Sequence, residues 1–184
     1  VQTYTRPPNS EVYYKPEPEA GSSALEYQII DSIQKGVTYF TPRACNNVLS
    51  FGARIGYYQQ SKNLLKEPIT VDFKGLANGQ SFGFSAPHGL TLIAENANDG
   101  TGKALSGADI FIKGLAGNCL GYGALEGFIA AKECGDRAGI RLSYKARIVV
   151  KKLGNNAFNF MTGGVGVILG DQRYYEDLKA SFVP

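Results

Sequence analysis

Few residues in this 184-residue chain have the type and spacing to do chemistry. The one histidine, His88, stands in the turn Ala86-Pro87-His88-Gly89, and an isolated loop histidine reads as a surface residue rather than a general base. Cys45, Cys119 and Cys134 are odd in number and scattered, with no Cys-x-x-Cys. No group of His, Cys and carboxylates has the spacing of metal ligands. The three thiols read as reduced, as in a cytosolic protein. The segment NANDGTGKALSG (96–107) invites a phosphate-loop reading, which needs Gly, four residues, then Gly-Lys-Ser/Thr. Ala97 stands at the first glycine and Ala104 at the hydroxyl, so the reading fails. Gly121, Gly123 and Gly127 do not fit a dinucleotide fingerprint either. A groove enzyme would need paired carboxylates, and Asp99, Glu126 and Asp136 are read as lying at unlike repeat positions. The expectation is no catalytic residue, no cofactor site and no metal site on this chain.

One charged pattern stands out. Lys113, Lys132 and Lys151 recur at steps of 19 residues. If successive segments stack in register, their ammonium groups form a column spaced about 5 Å apart. Arg137, Arg141, Lys145, Arg147 and Lys152 add charge nearby in sequence. Like charges at that distance repel even in water. The column is therefore either a solvated ladder with splayed side chains or a docking face for an acidic partner.

The elements that would position these residues come from an internal repeat. Short alternating strands start at Ile69, Leu90, Ile110, Ile129 and Ile148, with steps of 21, 20, 19 and 19, and GVILGD follows. Small-polar corners follow the strands: Ala77-Asn78-Gly79, Ala97-Asn98-Asp99, Ala116-Gly117-Asn118, Cys134-Gly135-Asp136 and Leu153-Gly154-Asn155. Next come Gly83, Gly102, Gly121 and Gly139, and units close on Gly89, Gly107, Gly127 or Gly163-Gly164. A period near twenty means stacked coils. No unit holds a helical period or room for a ten-residue helix. The solution is a β-solenoid in which each unit is one turn and strands stack in parallel. Glycine suits corners that need positive φ, and Asn and Asp at corners hydrogen-bond to nearby backbone. Gly79, Gly83, Asn98, Asp99, Gly102, Gly107, Gly121, Gly139, Gly163 and Gly164 are accordingly read as structural corners.

The fold class is all-β: a right-handed parallel β-helix of about five to six coils, with an N-terminal extended arm and a capping helix. Residues 1–22 form the arm, rich in Pro and Tyr. Residues 23–68 form the capping helix and an irregular first coil, residues 69–171 the solenoid, and residues 172–184 a tail packing over the last coil. Ser23-x-x-Glu26 reads as a capping box, with Leu25, Ile29, Ile30 and Ile33 on one helix face and Gly36 as terminator. The helix would cover the open end of the stack. Val37–Phe40 reads as a strand. Cys45-Asn46-Asn47 resembles a corner, and Phe51-Gly52-Ala53-Arg54 resembles Thr101-Gly102-Lys103-Ala104. A short helix is expected within Tyr57–Leu65. The net charge of +3 gives little reason to expect nucleic acid. No apolar run spans a membrane, and Val1 opens no signal peptide.

Four segments carry a family resemblance: GLANGQSFG (75–83), ANDGTGKALSGADIFI (97–112), AGNCLGYGALEGFIAAKECGDRAGIR (116–141) and FNFMTGGVGVILG (158–170). In order and spacing they resemble the GXGXG β-helix domain at the C-terminus of the glutamate synthase large subunit. NNVLSFGARI (46–55) is similar to that family's upstream segment but one residue shorter and without its Arg. The resemblance implies a non-catalytic scaffold, as a domain or a separate third subunit. It would hold glutaminase-type and FMN/iron–sulfur synthase-type partners in register, with FMN and the cluster on those partners and none on this chain. It also implies a cytoplasmic protein. The C subunit of formylmethanofuran dehydrogenase shares the fold and is the alternative. A stand-alone protein-binding module, as a homo-oligomer, is the other.

Overall fold

A computed structural model describes residues 22–42, 49–77 and 79–170, with backbone alone for residues 22, 23 and 75–77. The predicted arm over 1–22, apart from Ser22, which instead opens the first helix, lies outside the described residues, as do the corner Cys45-Asn46-Asn47 and the tail 172–184. The elements run α1 (Ser22–Gln34), β1 (Tyr39–Phe40), α2 (Ala53–Lys62), β2 (Ile69–Ala77), β3 (Leu90–Asn96), β4 (Ser106–Ala116), β5 (Glu126–Cys134), β6 (Lys145–Lys152) and β7 (Val165–Ile168). All seven strands pair in parallel in chain order, β1 to β7. Parallel pairing between consecutive strands requires a long return path. Here each return is a corner segment stacked on the one before it, so the chain winds as a β-solenoid.

The register confirms the repeat with one correction. Ile69 pairs with Leu90, Ile110 with Ile129, Ile129 with Ile148 and Ile148 with Gly166. Between β3 and β4, however, Leu92 faces Ile110. That winding advances by 18 residues rather than the 20 read from the apolar starts. Leu90 and Leu92 are both buried, so hydrophobicity alone does not say which begins the shared column.

Inside the stack, side chains fit by exchange of volume. Gly83, Gly102, Gly121 and Gly139 form one corner column, each amide donating to a carbonyl of the preceding winding at 2.7 Å. A Cβ on Gly83, Gly102 or Gly121 would collide with the tip of Ile110, Ile129 or Ile148, respectively. The isoleucines of one strand column thus fill the space that the corner glycines leave empty. In the last winding the roles reverse. Phe158 stands at the corner and Gly166 on the strand, and the Phe158 ring occupies the space that a side chain on Gly139 or Gly166 would take. At the other end Phe51, Phe73 and Phe82 pack with ring centroids 4.9–5.9 Å apart, and this cluster is continuous with Leu25, Ile29 and Ile30 of α1. Helix α1 lies against the α2 segment, through Glu26 with Gly52 and Arg54 and Tyr27 with Tyr58, and its apolar face joins this core.

Three local expectations change. Glu26, expected to act within α1, is engaged by the neighbouring helix. Its buried carboxylate accepts from the backbone N–H groups of Gly52 (2.8 Å) and Arg54 (3.1 Å), and so caps α2 from outside. The reason is local: Gly52, at the α2 N-cap with φ +109, has no side chain to do so. Helix α2 starts at Ala53, four residues before the segment expected to hold it, because this external cap satisfies its first turn. Strand β1 holds only Tyr39–Phe40, although Thr38 still accepts from Thr70 N–H.

Candidate functional site

An open groove of about 650 Å³ runs across the windings. Its floor is backbone at Gly107, Gly127 and Gly164, all with positive φ. The residues along it stand just before the closing glycines of successive units: His88 before Gly89, Glu126 before Gly127, and Lys145 at the equivalent place on β6. Glu126 and Lys145 are register partners, as are Glu126 and Ser106. The His88 ring lies across Gly107, where even a methyl group would strike it. It thereby reaches over one winding, and Nε2 stands 3.0 Å from Glu126 Oε2. Lys145 Nζ is 3.6 Å from the other oxygen of Glu126. The hydrogen bond from His88, with the nearby Lys145 charge, holds the Glu126 carboxyl below its usual range.

A second row runs beside the first. Asp109, Phe128, Arg147 and Val165 occupy one strand column. Partial burial pushes the Asp109 carboxyl up, against the pull of Arg147 and His88. Arg147 Cζ lies 5.9 Å from the centroid of the Phe128 ring, and Lys145 Nζ 5.2 Å from that of the exposed Tyr144. The groove therefore brings together two carboxylates, a histidine and two cations. Serine, threonine and cysteine are not among the residues that line this groove. His88 is also 67% exposed. Such an arrangement can recognise charge.

A smaller pocket of about 330 Å³ holds Ser81, Asp99, Lys103, Cys119 and Tyr122. Asp99 is already engaged as the first member of a ladder. Its Oδ1 accepts from Asn118 N–H (2.7 Å), Asn118 Oδ1 from Asp136 N–H (2.8 Å), and Asp136 Oδ1 from Asn155 N–H (2.7 Å). Gly117, Gly135 and Gly154 leave the room these side chains enter. Asp99 and Asp136 thus share one column two windings apart, which corrects the reading that places them at unlike positions. Asn98 turns its Oδ1 to Asp99 N–H, as a corner asparagine should. Gly79 is buried beside this corner, and Gly163 packs against Tyr144 backbone.

The lysine column is partly neutralised. Lys113 Nζ bonds Glu95 Oε1 at 2.7 Å, and this hydrogen bond raises its affinity for the proton. Lys132 and Lys151 are exposed and lie between the register pairs Ala131–Val150 and Glu133–Lys152, so they are neighbours across β5 and β6. Lys103, the supposed phosphate-loop lysine, points over the Tyr122 ring (5.9 Å), and strand β4 rather than a helix follows it. Cys119 and Cys134 are both free thiols. Burial pushes Cys134 up to about 11.

Sequence reading missed the groove because its members are 38 and 19 residues apart. The available signal was the residue preceding each closing glycine, which stacking had to bring into one line.

A profile of the GXGXG motif matches residues 23–176. Over 138 residues, 67% of the chain, it is 38% identical to a stretch of the glutamate synthase (NADH) of Saccharomyces cerevisiae, 6% of that protein. Over 135 residues, 65% of the chain, it is 35% identical to 9% of the glutamate synthase (NADPH) large chain of Bacillus subtilis. Over 116 residues, 55% of the chain, it is 36% identical to 7% of the ferredoxin-dependent glutamate synthase 2 of Synechocystis. The chain thus spans under a tenth of the length of these relatives.

Proposed function

The chain belongs to the GXGXG motif family, and on that footing we propose that it is a non-catalytic scaffold in a glutamate synthase-like, glutamine-dependent oxidoreductase assembly. Glutaminase-type and FMN/iron–sulfur synthase-type parts, on the same polypeptide or on separate subunits, carry the chemistry and the cofactors in the cytoplasm. This chain keeps them in register. The observation that carries the reading is the profile match over residues 23–176, falling on a solenoid whose polar corner atoms are committed to one another. Such a stack is stiff because each winding is bonded to the next along several columns. Its broad faces suit positioning other proteins. Among the described residues, no helix is long and apolar enough to cross a membrane, and no cluster of His, Cys and carboxylates is arranged to hold a metal. Lys132 and Lys151 offer one docking column in this reading.

Purifying the native assembly and identifying its polypeptides by mass spectrometry tests the proposal. The expected result is this chain in stoichiometric company with a glutaminase-type and an FMN-binding polypeptide, or joined to them. A chain that elutes alone or only with copies of itself would refute it.

A further inference from the structure

We propose that the groove flanked by His88, Asp109, Glu126, Lys145 and Arg147 is the docking site for an extended acidic segment of a partner polypeptide, with that segment's carboxylates seated at the Lys145–Arg147 end. This rests on the scaffold reading and names a face of it. Three observations carry it.

First, the groove is long, open and floored by glycine backbone at Gly107, Gly127 and Gly164, so a main chain can lie close along it. Second, its charge is uneven. Glu126 is tightly engaged by His88 and only loosely by Lys145 at 3.6 Å. Arg147 has no carboxylate within ion-pair reach among the described residues; it lies over the Phe128 face and acts on Asp109 only from a distance. Lys145 and Arg147 are two apart on β6 and both exposed, so they face the same side. Third, Tyr144, Leu125 and Val165 beside this end are more than half exposed, which leaves apolar surface for a bound segment to cover. Two cations beside two carboxylates do not make the basic stripe that a nucleic acid requires. Exposed Lys and Arg side chains are the groups that set docking rate and register through charge complementarity.

The test uses the full chain and the rest of its assembly. Affinity is measured by surface plasmon resonance, at low and at physiological salt, for the double variant Lys145→Glu/Arg147→Glu. The expected result is at least tenfold weaker binding at low salt, a smaller loss at higher salt, and an unchanged thermal midpoint. The variant Lys62→Glu/Lys66→Glu, exposed and outside the groove, should lose less than threefold. A ten-residue peptide of alternating Glu and Leu should compete with the partner, and its Lys–Leu counterpart should not. If the double variant fails to fold, Arg147→Gln replaces it, with an expected three- to fivefold loss. Wild-type affinity in the groove variants, or equal competition by both peptides, overturns the groove assignment and leaves the scaffold reading standing. So does an equal loss in the Lys62/Lys66 variant. A wild-type chain that binds no part of the assembly overturns both.

Discussion

Substitution of Gly121 by Ala probes the exchange of volume that builds the core. A methyl group there would sit 2.5 Å from Ile148 Cδ1 and 3.3 Å from Ile129 Cδ1, on a backbone with φ +66. Left-handed backbone at a residue bearing a Cβ costs about 1–2 kcal/mol. Overpacking a filled interior costs about 1–3 kcal/mol. The two together predict a loss of about 2–5 kcal/mol. The terms can be separated, because Ile148→Val removes the colliding Cδ1 and leaves the backbone untouched. Alone it should cost about 0.5–1.5 kcal/mol. In the double variant the collision is gone, so its loss should fall short of the sum of the single losses by at least about 1 kcal/mol. The assay is equilibrium urea unfolding followed by circular dichroism, with all four proteins sharing one m-value. Additive losses, within about 0.5 kcal/mol, would refute the claim that Ile148 occupies the space Gly121 leaves.

Three further outcomes follow from named contacts. In the corner ladder Asp99, Asn118, Asp136 and Asn155 alternate charge, so carboxylates stand two windings apart. Asn118→Asp would bring neighbours to about 4.8 Å, at a cost of about 1 kcal/mol per adjacent pair in water; urea midpoints should drop at neutral pH and recover in high salt or below pH 4. Burial raises the Glu26 carboxyl above its ordinary 4.5. The folded state therefore binds more protons than the unfolded one in that window, and Glu26 lowers stability as pH rises from 4.5 through the raised value; Glu26→Gln should flatten that slope, whereas Glu26→Ala strands the Gly52 and Arg54 amides and should cost about 2–4 kcal/mol. In a Cys45→Ser background, maleimide should label half-buried Cys119 well before Cys134, whose buried thiol is raised to about 11; equal rates would contradict the burial of Cys134.

The repeat was legible because its period is written in two residue classes with separate physical duties. Corner glycines Gly83, Gly102 and Gly121 and strand isoleucines Ile110, Ile129 and Ile148 each recur near 19 residues, and the structure shows them as two halves of one packing rule. The two-residue slip at Leu92 was not legible, since Leu90 and Leu92 are alike in hydrophobicity and both face inward. The role of Glu26 was hidden because its partners, Gly52 and Arg54, are backbone donors in a distant segment, while the local capping pattern pointed to Ser23. Lys113, Lys132 and Lys151 were found by spacing, yet Glu95, which neutralises Lys113, is 18 residues away and belongs to no visible motif. The groove followed the same logic. His88 looked solitary in the chain, and only stacking over Gly107 sets it beside Glu126.

The most direct test of the central claim is an add-back assay. Glutamine-dependent glutamate formation is measured for the purified chain alone, for the rest of the assembly without it, and for the two recombined. The scaffold account predicts no turnover by the chain, poor coupling of glutamine hydrolysis to glutamate formation in the depleted assembly, and restored coupling on recombination. Turnover by the chain alone, or full coupling in its absence, would contradict it.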